Sequence, residues 1–256
     1  MAQSSIAGTP VMPDYRLLPA GDTALVVEFG DRIDRRISAR VLALARRFDE
    51  AGIAGVIETV PTFRSLMVHY DPLVLPAAAL GARIAELMQG LQATEHAGRL
   101  WRLPACYDPR LAPDLDEVAA RTGLSPAQVI ERHSSITYYV YMLGFLPGQA
   151  YMGDLAPELA LPRRQAPRLK IPAGSLAIAT TMTCIFPRQT PCGWHLIARS
   201  PVALWEIAPR PRALLAPGDR VVFEPVSMRE YQDLLAKAAA GTSSIAPSGA
   251  TTEAAA

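Results

Sequence analysis

The chain is short of cysteine, of surplus charge and of long apolar runs, and each shortage removes a class of function. Three cysteines in 256 residues, Cys106, Cys184 and Cys192, are an odd number with no CxxC pair, so a disulfide framework is not expected. A catalytic thiol stays open, although a small buried thiol is the commoner use of such residues. The four histidines, His69, His96, His133 and His195, show neither HxH nor HExxH spacing, which predicts no metal-ligand set. A formal net charge of +1 leaves no basic field for nucleic acid and no acidic tail that would mimic it. No stretch approaches the roughly 20 apolar residues of a bilayer span, and the opening MAQSSIAGTPVMPDYRLL lacks the basic and apolar regions of a leader. These absences predict a soluble, cytoplasmic protein with neither nucleic acid nor membrane as a partner.

What is present is material for real cores: half the residues are hydrophobic, in a length that suits two modest domains. ALVVEFG (Ala24 to Gly30) reads as a strand. Asp34 to Gly52 places Ile37, Val41, Leu44, Ala45 and Phe48 on one helical face, with Gly52 as the stop. Val56 to Pro72 reads as two strands around a turn at Pro61, and Pro76 to Ala93 as a second amphipathic helix. This order predicts a small antiparallel sheet covered on one face by two helices, an α+β domain over 14–98 after a disordered start at 1–13. Polar QATEHAGR (Gln92 to Arg99) marks the boundary.

Beyond it, LWRLPACYD reads as a strand, and Ala112 to Ser135 carries two short helices, the second capped by Ser125 with Pro126 in its first position. From Thr137, short β-prone pieces (TYYVYML, SLAIATTMTCIF, WHLIARS, DRVVFEPV) alternate with Pro/Gly-rich connections, the texture of a closed or nearly closed β-barrel over 99–227. Met228 to Ala240 forms a last helix, and GTSSIAPSGATTEAAA has the composition of a disordered tail.

Three connections in this second region carry the candidate chemistry. LGFLPGQAYMGD (Leu143 to Asp154) is rich in backbone-shaping glycine and proline, but it lacks the Gly-Lys-Ser/Thr of a phosphate loop and the spacing of a dinucleotide fingerprint. LPRRQAPRLKIPAGS gathers Arg163, Arg164, Arg168 and Lys170 before a Pro-Ala-Gly turn, either an anion site or a solvated run. FPRQTPCGWHLI sets Arg188 and the Trp194-His195 pair around two prolines and a glycine, either a pocket wall or a barrel corner with a core tryptophan.

In order and spacing, YYVYMLGFLPGQAYMGDL, LPRRQAPRLKIPAGSLAIA, TCIFPRQTPCGWHLIARS and LLAPGDRVVFEPV resemble the family called allophanate hydrolase subunit 1, KipI, or 5-oxoprolinase B-subunit, over about Tyr15 to Val226. The resemblance implies an α+β N-terminal domain followed by a cyclophilin-like β-barrel domain. It implies a subunit that works with a partner, subunit 2 or C, and with a third subunit, in the ATP-dependent opening of 5-oxoproline to glutamate. ATP is then a co-substrate, and phosphorylation of the lactam's amide oxygen would activate the ring carbon for water. His133, Arg188 and His195 become the catalytic candidates, and Tyr151, Arg163, Arg164, Pro172, Ala173, Gly174 and Trp194 the substrate- or nucleotide-binding ones. Ala177, Thr180, Thr181, Met182 and Cys184 stand where relatives carry glycines and amides, and Cys192, His195 and Ala198 where they tend to have Gly, Gln and Gly; the added side chains narrow a backbone-lined pocket, which leaves open a different lactam or amide as substrate, or a binding subunit without turnover. The alternatives are a KipI-like regulator that inhibits a sensor histidine kinase, and an accessory subunit related to urea carboxylase or allophanate hydrolase.

Overall fold

A computed structural model describes residues 14–93, 98–207, 212–240 and 245–248. The expected disordered start at 1–13, and the parts of the expected tail at 241–244 and 249–256, lie outside the described residues. The chain divides into two compact units, Met1–Thr94 and Glu95–Ala256.

The first unit runs β1 (Arg16–Pro19), β2 (Ala24–Glu28), α1 (Arg35–Ala51), β3 (Val56–Pro61), β4 (Ser65–Tyr70) and α2 (Ala77–Met88). The four strands form one sheet in the order β1-β2-β4-β3, antiparallel throughout. Strand β4 alternates half-buried and buried positions, so Leu66, Val68 and Tyr70 share the face that meets Val41, Leu44 and Phe48 of α1 and Leu80 and Ile84 of α2. Helix α1 begins where Asp34 accepts from the Arg36 backbone N–H and stops at Gly52, whose φ of 51° is left-handed. Strand β1 has no counterpart in the expected elements: all four of its residues are exposed, so it shows no burial alternation to read.

The second unit contains β5 (Leu100–Ala105), α3 (Leu115–Thr122), α4 (Pro126–Ser134), β6 (Tyr138–Leu143), β7 (Ala150–Gly153), β8 (Arg168–Ile171) and β9 (Ser175–Ala179). It continues with β10 (Met182–Ile185), β11 (Thr190–Cys192), β12 (His195–Arg199), β13 (Trp205–Glu206), β14 (Arg212–Ala213), β15 (Arg220–Pro225) and α5 (Met228–Ala239). Seven strands form a mixed sheet in the order β12-β9-β10-β7-β6-β15-β5, with β15 and β5 parallel. Its outermost strands meet just past the end of β5: Cys106 N–H donates to Arg199 C=O at 2.8 Å and Arg199 N–H returns to Cys106 C=O at 2.9 Å. This bridge brings the sheet close to closure as a barrel, leaving little exposed edge.

The core of this unit joins Leu103, Val140, Met152, Ile178, Ile197 and Phe223 from six strands to Val118 and Val129 from the helices. All of β9 and β10 is buried, which explains why SLAIA and MTCI show no polar alternation. Helix α4 starts in a capping box, Ser125 with Gln128, and carries His133 into the core on its last turn. Strands β8 and β11 pair as a separate two-stranded ribbon with a register shift between Thr190 and Cys192. That ribbon and the β6–β7 hairpin position the site.

Candidate active site

The β6–β7 connection is a tight loop in which Gly144 N–H reaches Gln149 C=O at 3.1 Å and Gln149 N–H reaches Leu146 C=O at 3.0 Å. Gly148 is required at its φ of 77°, and a Cβ there would stand 2.6 Å from the Leu204 carbonyl oxygen. The same loop holds Phe145 in the left-handed region, at φ 69°, with 67% of its surface exposed. A bulky residue there costs about 1–2 kcal/mol. Strain combined with an exposed aromatic ring points to use at the surface.

The LPRR segment is pinned on both sides. Thr180 N–H donates to Leu161 C=O at 2.6 Å, His195 Nε2 meets Pro162 C=O at 3.0 Å, and Arg164 N–H donates to Gly193 C=O at 2.7 Å. The carbonyl accepts only, which fixes the His195 proton on Nε2; Nδ1, with no hydrogen-bond partner, lies 4.0 Å from Glu117 Oε1. With the backbone held, the two arginines part. Arg164 turns inward, to Asp114 Oδ1 at 3.1 Å and Glu117 Oε2 at 2.6 Å. Arg163 turns outward, its guanidinium carbon 5.9 Å from the centre of the Trp194 ring, and has no ion pair among the described residues.

Asp114 is 2% exposed and organises the inward side. It accepts both terminal nitrogens of Arg168 at 2.8 and 2.5 Å, Arg164 at 3.1 Å and the Leu196 backbone N–H at 2.7 Å. A carboxylate with that many donors replaces the hydration it has lost. The Arg164 guanidinium holds the Glu117 carboxyl below its ordinary value, and Glu117 in turn raises Arg164. Asp114 and Glu117 flank the start of α3 and were not among the sequence candidates. The signal was available in the cations: a half-buried run of arginines needs carboxylates, and DLDE is the acidic stretch that reaches it.

Arg163 and Trp194 form one side of a cavity of about 170 Å³ whose other walls are Phe145, Tyr151, Phe186, Pro191, Cys192 and Gly193. Tyr151 meets Trp194 edge to face, ring centres 6.0 Å apart at 68°. Burial raises the Tyr151 hydroxyl above its ordinary value. Burial also pushes up the Cys192 thiol and, more strongly, that of Cys184, so both stay protonated at neutral pH. Cys192 therefore acts here as a wall, with the Trp194 backbone N–H 3.2 Å from its sulfur.

Of the ten sequence candidates, the cavity thus unites Tyr151, Arg163 and Trp194. Arg164 and His195 lie just behind it and hold its wall. Arg188 is exposed, on the connection from β10 to β11 that also contributes Phe186. Pro172, Ala173 and Gly174 do not line the cavity; Gly174, at φ 79°, passes so close to Ser200 that a Cβ would lie 2.3 Å from its carbonyl oxygen, and Arg199 Nε donates to Ala173 C=O at 2.8 Å. That turn fastens β9 to the end of β12.

His133 is fully buried and also lies outside the cavity lining. Its Nδ1 is 2.8 Å from the Tyr107 hydroxyl, its Nε2 is 3.0 Å from Thr183 Oγ1, and its ring stacks on Phe223 at 5.0 Å. Thr183 donates to Ala177 C=O, so it accepts from Nε2–H while Tyr107 donates to Nδ1. Burial lowers His133 to about 3, which keeps this imidazole neutral. Among the described residues no group of three or more His, Cys, Asp or Glu side chains would hold a metal ion, and no helix is long and apolar enough to cross a membrane.

Residues 15–215 match the family described as carboxyltransferase domain, subdomain C and D. The chain is 36% identical to the 5-oxoprolinase B-subunit of Bacillus subtilis over 231 residues, 85% of this chain and 95% of that protein. The chain belongs to the 5-oxoprolinase B-subunit family. Among solved structures, TTHA0988 is 35% identical and superposes with a TM-score of 0.70 over 79% of this chain; the match spans about two fifths (39%) of that longer protein. The urea carboxylase of Kluyveromyces lactis, at 20% identity, shares the fold with a TM-score of 0.78 over 94% of this chain and 25% of its own. Family membership covers both units, and the cavity lies within the matched residues.

Proposed function

We propose that this chain is a subunit of a cytoplasmic, ATP-dependent 5-oxoprolinase which, with partner subunits 2/C and a third subunit, opens the lactam of 5-oxoproline to glutamate. Its second unit then serves as a cyclophilin-like β-barrel domain that follows an α+β domain. The observation that carries the reading is the convergence of Arg163, Tyr151 and Trp194 on one small cavity in a chain collinear with the 5-oxoprolinase B-subunit. At about 170 Å³ it is smaller than the roughly 300–1,000 Å³ of drug-sized pockets and suits a small metabolite. In this reading the aromatic walls take the ring and Arg163 faces the lactam oxygen where charge develops.

A lactam carbonyl is a poor electrophile; once its oxygen is phosphorylated, water adds to the carbon, the ring C–N bond breaks with a proton passing to the nitrogen to leave γ-glutamyl phosphate, and a second water releases phosphate and glutamate. The developing charge needs donors aimed at it in a place that excludes water. Arg163 supplies one, and Arg188, on the loop above the cavity, supplies a second when that loop closes over substrate. His195 and Arg164 act as positioning residues through the Pro162 carbonyl and Asp114. His133 holds α4 to the sheet and exchanges no proton with substrate. Cys192 occupies volume at the cavity wall and sets which lactam or amide fits.

The test is glutamate release and ATP hydrolysis by the chain mixed with its partner subunits, with and without 5-oxoproline. Stimulated hydrolysis with stoichiometric glutamate is the expected result. An assembled complex that forms no glutamate from 5-oxoproline would overturn the reading.

A further inference from the structure

Arg163 lines two cavities. Besides the aromatic cavity it lines a cleft of about 510 Å³, walled by Arg163, Arg164, Gln165, Arg121 and Glu117. Its charge is unbalanced. Arg121, Arg164 and Arg168 pair with Asp114 and Glu117, and Arg163 joins the cleft lining with no ion pair among the described residues, four cations against two carboxylates, a surplus of two positive charges in one cluster. The pairing that exists spends itself inward. Arg168 and Arg164 neutralise buried Asp114, and Glu117 is held at 2.6 Å by Arg164. The Arg121–Glu117 contact is 3.4 Å long between half-exposed side chains, the kind of pair that contributes little and is readily exchanged. Arg121 and Arg163 are therefore two guanidiniums on one opening that can turn to an incoming anion, with Arg164 fixed between them. A single carboxylate needs one guanidinium fork, whereas oligophosphates carry several charges and are gripped by several.

We infer that this cleft binds the phosphate chain of a nucleoside polyphosphate, and that Arg163 is the shared wall that brings the terminal phosphate to the molecule in the aromatic cavity. The inference rests on the proposed ATP-dependent lactam opening for the identity of that neighbour. Arg121, on the last turn of α3, and Gln165 are the new contacts; Gln165 adds a neutral amide donor beside the cations.

The test is calorimetric titration of the full-length chain with sodium tripolyphosphate, then with ATP. Saturable binding is expected, weakened about tenfold or more for both ligands by Arg121→Ala and by a smaller factor by Gln165→Ala. Arg102→Ala, which removes an exposed arginine on β5, should leave the affinity unchanged and so separates the cleft from general charge. Arg121→Ala should also leave 5-oxoproline affinity unchanged. No tripolyphosphate binding, or equal losses in Arg121→Ala and Arg102→Ala, would overturn the inference. Tripolyphosphate binding that depends on Arg121, in a chain whose assembled complex forms no glutamate, would uphold the cleft and defeat the oxoprolinase reading.

Discussion

Two polar regions of the second unit use the same residue types in opposite ways. Around His133 and Asp114 the groups are buried and matched: the imidazole lies between two hydroxyls, and the carboxylate takes two arginines and a backbone N–H. Around Arg163 a cation, a strained phenylalanine and a tryptophan ring are brought together with no carboxylate paired to the cation among the described residues. Arg163 and Arg164 are chain neighbours, yet one belongs to each region. Polar groups matched inside contribute stability and a defined shape; those left unmatched at a cavity are available for a ligand. On this account, mutations in the first region should act on folding and those in the second on binding.

The largest effect on stability is expected from Asp114→Ala. It strands the arginines that its buried carboxylate holds, a change that costs roughly 3–5 kcal/mol where one partner of a buried pair is removed. Thermal unfolding should show a fall in Tm on the order of 10 °C. A loss below about 1 kcal/mol would mean that the cluster is solvated and that the comparison fails.

The next effect depends on pH. His133 is neutral in the fold, with its value lowered to about 3 by burial, and titrates near 6.5 when unfolded. In the interval between those values the unfolded chain binds the extra proton, so stability falls as pH drops from about 6.5 towards 3, by up to ~1.4 kcal/mol per pH unit. His133→Gln should be less stable at pH 7 and lose this slope by as much as one proton between pH 6.5 and 5. A variant whose acid slope matches that of the parent would show that His133 is accessible to protons in the fold.

Phe145→Gly should have the smallest effect on folding. Relief of the left-handed φ and the extra freedom of glycine in the unfolded chain differ in sign and leave stability within about 1 kcal/mol. Removal of an aromatic wall should instead raise KM for substrate about tenfold, a change measurable in the assembled enzyme. A large drop in Tm with KM unchanged would move Phe145 to the structural side of the comparison.

Local rules carried the reading of the helices and central strands. Asp34 and Gly52 bound α1, and Ser125 with Pro126 starts α4, because caps and the helical period are written within a few residues. Strand β1 and the β8–β11 ribbon escaped because pieces of three or four residues are too short to show a period, and β8 and β11 obtain their pairing from each other across the intervening β9 and β10. The site was legible as a set of residue types but not as an arrangement. Nothing in LPRRQAPRLK tells which arginine faces outward; that is decided by Pro162 against His195 and Arg164 N–H against Gly193. Thr180 has a left-handed φ of 53° at the β9–β10 turn, where the resemblance led one to expect a glycine or an amide. That local strain became visible only with the backbone in view.

The central claim, that the outward cation serves a ligand while its neighbour serves the fold, is tested most directly by Arg163→Ala in the assembled complex, with 5-oxoproline-dependent glutamate release and Tm measured on the same preparation. The account predicts a loss of turnover of about a hundredfold or more with Tm unchanged within about 2 °C, because Arg163 has no ion pair to lose among the described residues and meets the Trp194 ring only at 5.9 Å. Turnover preserved in Arg163→Ala, or lost only in step with a collapse in Tm, would contradict it.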